Sequence, residues 1–229
     1  AQLQDSATVR FDADPIVADS ARIRVLHLSP DAPAVDLLAD VNATPENEAL
    51  PLTRGVEYTQ FCELAVPAPG DYTVSVAASA DNSIVAHTIP VNVMQGDEAI
   101  SIVSGFLTEG LTPAITDITL PGNTRSVFTE TKLRITHGSP STPEVDLYLV
   151  AAGSGIADVD PNFAGVPFGA DTTQLSLPAG DYDAFVTLAG SKEPAISLEG
   201  LNFSGGEVLD VIARDAFGEE TLPQAVVIN

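Results

Sequence analysis

The chain is poor in most of the residue types that carry chemistry. Its 229 residues include one cysteine, one methionine, three histidines and no tryptophan. A single cysteine, Cys62, excludes any disulfide within the chain and any multi-cysteine metal site. Basic side chains are scarce as well: nine Lys and Arg stand against 32 Asp and Glu, a net charge of −23. No basic stripe exists to engage phosphates, which argues against nucleic acid or anionic lipid as a partner. There is no run of about 18 apolar residues, so no membrane-spanning helix is expected. The sequence opens at Ala1 with neither Met nor a hydrophobic leader, the pattern expected of an extracellular or cell-surface protein after signal-peptide removal.

What the chain does have points to strands. Apolar residues make up 45%, and Gly and Pro number 17 each, a composition that suits short strands joined by tight turns better than long helices. Alternation predicts strands near 7–12, 22–28, 35–41, 58–65, 71–79, 84–94, 99–105 and 114–120, then near 125–129, 132–137, 145–151, 172–177, 181–189, 195–203, 207–213 and 223–229. Residues 42–57 and 152–171 read as irregular, partner-facing loops. The acid is spread over both halves, as on a solvated surface.

One stretch occurs twice. Arg24 to Leu37 reads R-V-L-H-L-S-P-D-A-P-A-V-D-L, and Arg134 to Leu147, 110 residues on, reads R-I-T-H-G-S-P-S-T-P-E-V-D-L. Ile23 and Val25 alternate with Arg22 and Arg24, as in a half-buried strand. The two prolines cannot donate to a ladder, so the chain leaves the strand at a corner and re-enters one at Val35. Pro69-Gly70-Asp71-Tyr72 returns at the same spacing as Ala179-Gly180-Asp181-Tyr182. Gly there is expected to supply the positive φ of a tight turn, with the Tyr ring turned inward. Cys62 corresponds to Thr172, so no thiol chemistry is shared by the copies, and Cys62 reads as a small core-facing residue. The expected architecture is therefore all-β: two tandem β-sandwiches, 1–121 with its N-terminal strand and 122–229.

At R-x-x-H-x-S-P-x-x-P-x-V-D, followed by P-x-G-x-Y, the chain resembles the domain of unknown function 4397 family, over about 22–120 and 132–229. The resemblance implies secreted or surface-exposed, immunoglobulin-like β domains that commonly occur in tandem, often on lipoproteins. It implies no reaction. The sequence departs from the lipoprotein members in showing no N-terminal lipid-bearing cysteine, so lipid anchoring is not expected.

The repeated polar residues, Arg24, His27, Ser29 and Asp36 with Arg134, His137, Ser139 and Asp146, invite a triad reading. A nucleophilic serine needs its base in reach and an oxyanion hole, yet Ser29 lies two residues from His27 and precedes a proline. The expectation is structural: His and Asp fix the corner by bonding backbone or each other, and each Arg either pairs with the motif's Asp or lies with its stem flat on the sheet and its head in water. No enzyme is expected. Each motif offers a single histidine, too few for zinc. Calcium would need clustered oxygens, for which Asp158 and Asp160, or Asp181 and Asp183, are the candidates, but no calcium-loop pattern is present; no cofactor is expected. Asn42 and Asn202 match the N-glycosylation acceptor.

Two functional readings follow. The first is a non-catalytic extracellular structural or adhesive protein that joins copies of itself, or another surface component, through sheet edges. In it Ala7, Val9 and Phe11, one apolar face of the opening strand, pair either with their own sheet or with a neighbouring molecule, building a filament. The alternative is a monomeric ligand- or glycan-binding surface module acting through loops 42–57 and 152–171, whose only aromatics are Phe163 and Phe168.

Overall fold

The computed structural model describes residues 8–9, 19–41, 50–122, 126–218, 220 and 222–228, and no helix occurs among them. Ala7, Phe11 and Asn42 lie outside the described residues. The chain divides into two compact units, Ala13–Asn123 and Ala1–Asp12 with Thr124–Asn229.

The first unit holds β2 (Ser20–Leu28), β3 (Val35–Val41), β4 (Leu50–Val56), β5 (Phe61–Pro67), β6 (Gly70–Ala78), β7 (Asp81–Val93), β8 (Glu98–Ser104) and β9 (Thr116–Pro121). They form two four-stranded sheets, β5-β2-β8-β9 and β4-β3-β6-β7. Ala21, Ile23 and Val25 of β2, with Leu64 and Val66 of β5, meet Val35 and Leu37 of β3 and Val74 and Val76 of β6 in one core. That is a β-sandwich, with each strand contributing alternate residues to the interior. Burying each of these Val, Leu and Ile side chains contributes about 1.5–3 kcal/mol before chain entropy is subtracted. Cys62 packs on the same core, and burial pushes its thiol pKa up to about 11.

The second unit holds β1 (Thr8–Val9), β10 (Glu130–His137), β11 (Val145–Ala151), β12 (Phe163–Val166), β13 (Leu175–Pro178), β14 (Gly180–Leu188), β15 (Pro194–Phe203), β16 (Val208–Arg214) and β17 (Gln224–Ile228). Its sheets are β1-β17-β16-β10-β13 and β12-β11-β14-β15, around a core that includes Leu133, Ile135, Val145, Leu147 and Phe203. In each unit the strand before the proline corner runs parallel to the penultimate strand: Arg24 faces Ile100, and Arg134 faces Asp210.

Four elements differ from expectation. β4 and β12 lie in stretches read as loops. β4 contains Pro51 and Gly55 and β12 contains Gly165, residues that weaken a strand signal, and both strands are sheet edges, where such residues are tolerated. No strand forms at 126–129, where a single bridge joins Val127 to Glu130 and the Phe128 side chain is 90% exposed. The described part of the opening strand pairs outside the first unit's sheets: Thr8 and Val9 run parallel to Val227 and Ile228 of β17.

Candidate functional site

The repeated motif folds into one corner in each unit. His27 ends the core-facing series of β2, and its ring is buried. Nε2–H donates to the Pro33 carbonyl at 3.2 Å, and Nδ1 accepts the Ser29 N–H at 3.4 Å. Both contacts require the neutral Nε2–H tautomer. His137 does the same with Pro143 at 3.0 Å and Ser139 at 3.4 Å. The imidazole thus spans the corner and satisfies backbone groups that the prolines leave without ladder partners. An aromatic ring stands edge-on to each histidine, Tyr58 to His27 and Phe168 to His137, with 6.3 Å between centroids in both cases. Tyr58 and Phe168 are themselves 110 residues apart, a signal that was present in the sequence.

The aspartates do not meet the histidines. Asp36 lies between Val35 and Leu37, so when those two face the core Asp36 faces away. Its Oδ1 accepts the Gly55 N–H at 2.9 Å and the Ser79 hydroxyl at 2.5 Å. Asp146 accepts the Gly165 N–H at 2.8 Å through Oδ1 and the Gly190 N–H at 2.8 Å through Oδ2. Gly55 and Gly165 have φ of 68° and 61°, and each lies opposite an irregularity in pairing at the aspartate. The carboxylate therefore caps a bulged edge strand. This glycine pair, also spaced by 110, was the second readable signal missed.

The arginines do not pair with these aspartates either. Arg24 Nε donates to Glu63 of β5 at 3.2 Å, and Arg22 reaches Glu63 and Glu98 at 3.2 and 3.3 Å. Arg134 Nε donates to Asp210 of β16 at 2.6 Å. In each case a carboxylate on a neighbouring strand was closer in register than the motif's own.

The serines tie the corner to the segment that leaves the penultimate strand, and the carboxylate responsible changes sides. In the first unit Ser29 Oγ donates to the Gly105 carbonyl at 2.7 Å, while Asp31, in the corner, accepts the N–H groups of Leu107 and Thr108 at 2.8 Å each. In the second unit the carboxylate is Asp215, after β16, which accepts from Ser139 Oγ and from Ser141 Oγ at 2.7 Å. Arg214 then clamps Glu220 in a bidentate pair at 2.6 and 2.8 Å. Neither serine touches a histidine side chain through its hydroxyl, so no nucleophile–base pair forms at either corner.

The tyrosine turns are built differently from expectation. Neither Gly70 nor Gly180 has positive φ. A Cβ on Gly70 would stand 2.8 Å from the Tyr72 ring, and one on Gly180 3.4 Å from that of Tyr182. Glycine is there to make room for a ring whose hydroxyl reaches back to a proline carbonyl, Pro67 for Tyr72 and Pro178 for Tyr182. Asp181 accepts from Asn202 Nδ2 at 2.7 Å, and Asp71 accepts from Asn92 in the same way. Asn202 is thus an exposed strand residue already bonded through its amide nitrogen. Asp183 accepts the N–H groups of Gly153 and Gly200 at 2.7 and 2.8 Å, so both of its oxygens are engaged. Among the described residues no group of three or more His, Cys, Asp or Glu comes together as metal ligands do, and Asp158 and Asp160 belong to none.

Burial pushes the His27 and His137 pKa values down from 6.5, against the opposing pull of their proline carbonyls. A group neutral when folded, with the ordinary pKa when unfolded, contributes stability that is complete above pH 6.5 and falls as the pH drops. Each histidine then removes up to about 1.4 kcal/mol per pH unit until its folded-state pKa is reached. The Asp36 carboxyl is held below its usual range, first by the Ser79 hydroxyl and then, against burial, by the Gly55 N–H. It adds a second loss below about pH 4. Melting temperature should accordingly decline between pH 6.5 and 5, and a His27→Gln, His137→Gln variant, less stable at pH 7.5, should show a flatter decline. A level profile from pH 7.5 to 5 in the unaltered chain would contradict this.

The fold and these corners define the class: an all-β protein of sandwich units whose repeated polar residues bond within the fold. The chain belongs to the family described as domain of unknown function (DUF4397), whose model matches residues 21–148. No curated protein sequence matches it. Among solved structures it is similar to the Bacillus anthracis TIE protein, with 17% identity over 86% of this chain and 34% of that chain, at a TM-score of 0.25. It thus spans about a third of that protein's length. It is similar also to the family 26 carbohydrate-binding module CBMbc of Eubacterium rectale Amy13K, solved with maltoheptaose (9% identity, 90% and 95% coverage, TM-score 0.27), and to GBS52, the minor pilin of Streptococcus agalactiae (10%, 87% and 97%, 0.23).

Proposed function

We propose that the chain is a non-catalytic extracellular structural or adhesive protein made of tandem copies of one immunoglobulin-like sandwich. It works without a cofactor and self-associates through its N-terminal strand. The observation that carries this reading is the fate of the repeated polar residues. Every one of them, in both units, bonds a partner within its own fold. What the two copies preserve is therefore scaffold, and the remaining surface for function is loops and sheet edges.

The ligand- or glycan-binding alternative acts through loops 42–57 and 152–171, which offer Phe163 and Phe168 as their only aromatics. Phe163 packs on the core and Phe168 on His137, so a stacking platform would have to come from elsewhere on the surface.

Sedimentation velocity with negative-stain imaging, across a rising concentration series, tests the proposal. Linear assemblies are expected at high concentration in physiological salt, where repulsion from the −23 charge is screened. A chain that stays monomeric throughout favours the surface-module reading.

A further inference from the structure

We infer that ionic strength governs the stability of this fold. Its charge attractions lie inside each unit and its charge repulsions on the surface, so modest salt tightens the chain and dilution loosens it. The inference stands apart from the self-association reading and holds for a monomer.

The charges are segregated by burial. Of the nine basic side chains, Arg22, Arg24, Arg134 and Arg214 are at most 9% exposed. Each pairs with a carboxylate of its own unit: Arg22 and Arg24 with Glu63, Arg22 with Glu98, Arg134 with Asp210, and Arg214 with Glu220. Arg134 and Asp210 are the most enclosed, their side chains 5% and 10% exposed. Among the described residues the exposed basic side chains are Arg54 and Lys192. Exposed carboxylates run along both units, among them Asp31, Asp81 and Glu109 in the first and Glu144, Asp158 and Glu193 in the second. The net charge of −23 thus falls mostly on the surface, while the arginines that would offset it there are held inside.

Distance decides which of the two salt acts on. Partners in the enclosed pairs are 2.6–3.3 Å apart, and salt screens such pairs weakly. The surface charges are much farther from one another. A folded chain of 23.7 kDa exposes roughly 10,000 Å², so its net charges stand on the order of 20 Å apart. The Debye length is about 30 Å at 10 mM salt and about 8 Å at 150 mM. Neighbouring charges therefore repel at the lower concentration and are shielded at the higher. Unfolding spreads the charges, so the repulsion weighs on the compact state more than on the open chain. Salt removes that repulsion and leaves the internal attraction, the reverse of a fold held by exposed ion pairs. Any mobile cation serves, because the effect is one of screening.

Thermal melts of the full chain between 10 and 300 mM NaCl test this, at protein concentrations where sedimentation shows a monomer. The range stops short of molar salt, where exclusion of ions from the surface adds its own stabilisation. The midpoints should rise by roughly 5 °C or more across it, and equally in KCl or choline chloride. A variant with Glu144→Gln, Asp158→Asn, Asp160→Asn and Glu193→Gln removes four exposed charges from the second unit. It should melt higher than the unaltered chain at 10 mM and gain less from added salt.

Midpoints that stay level or fall with NaCl would overturn the inference. So would a rise that the four-charge variant reproduces in full, because surface repulsion would then not be its source. A rise produced by low millimolar CaCl2 alone, with none in NaCl or choline chloride, would assign the effect to a bound ion and overturn it equally.

Discussion

Gly105→Ala is expected to destabilise the first sandwich by about 3–5 kcal/mol. Gly105 has φ of +97°, a conformation that L side chains rarely adopt, and a Cβ there would stand 2.4 Å from the Ala114 carbonyl oxygen. The obstruction is backbone, so no rotamer change relieves it. The position cannot simply retreat either. Its carbonyl accepts the Ser29 hydroxyl, and the next residue, Phe106, exchanges backbone bonds with Pro113 and Ile115 at 2.9 Å. Because the two units need not unfold together, differential scanning calorimetry is the appropriate measurement. One transition should move down sharply and the other stay in place. A shift of that transition equivalent to less than about 1 kcal/mol would mean that the 105–115 loop yields to the methyl group.

Asp146→Ala should cost the second sandwich about 2–5 kcal/mol. The side chain is 5% exposed and supplies an acceptor to two glycine N–H groups, Gly165 on the edge strand and Gly190 in the β14–β15 turn. Alanine leaves both donors without a partner. Asp146→Asn keeps one acceptor and turns an amide N–H toward the other donor, so its loss should be smaller but still measurable by chemical denaturation. Equal stability of all three chains would show that water replaces the carboxylate without penalty.

The corner itself was legible because proline and period-two alternation both act locally. Which side chains meet around it was not read, although parity would have answered part of it. His27 shares the core-facing series with Ile23 and Val25, while Asp36 is one position out of step with Val35 and Leu37. Side chains pointing to opposite faces of a strand do not meet. The partners of Arg24 and Arg134 depend on parallel and antiparallel register between strands far apart in sequence, and no local pattern encodes that. β4 and β12 were hidden by the proline and glycine that an edge position permits. The glycines at 55 and 165, and the rings at 58 and 168, recur at the same spacing as the histidines. Following that spacing through the apparent loops would have exposed the edge strand and the aromatic wall together. The N-terminal strand was recognised from its alternation, but alternation says nothing about which sheet takes it.

The exchange of a carboxylate between Asp31 and Asp215 bears on how two sandwiches of like sequence fold side by side on one chain. During synthesis the corner of one could engage the strand exit of the other, the usual misassembly of similar neighbouring domains. Such a cross-pairing would set Asp31 against Asp215, two carboxylates at one joint, or leave Ser141 facing Gly105 with no carboxylate at all. Only the correct combinations place one carboxylate at the joint. Each corner thus carries a key that fits its own exit. The same arrangement would penalise genetic recombination between the two halves, since a chimera joined between corner and exit inherits one of the two faulty joints.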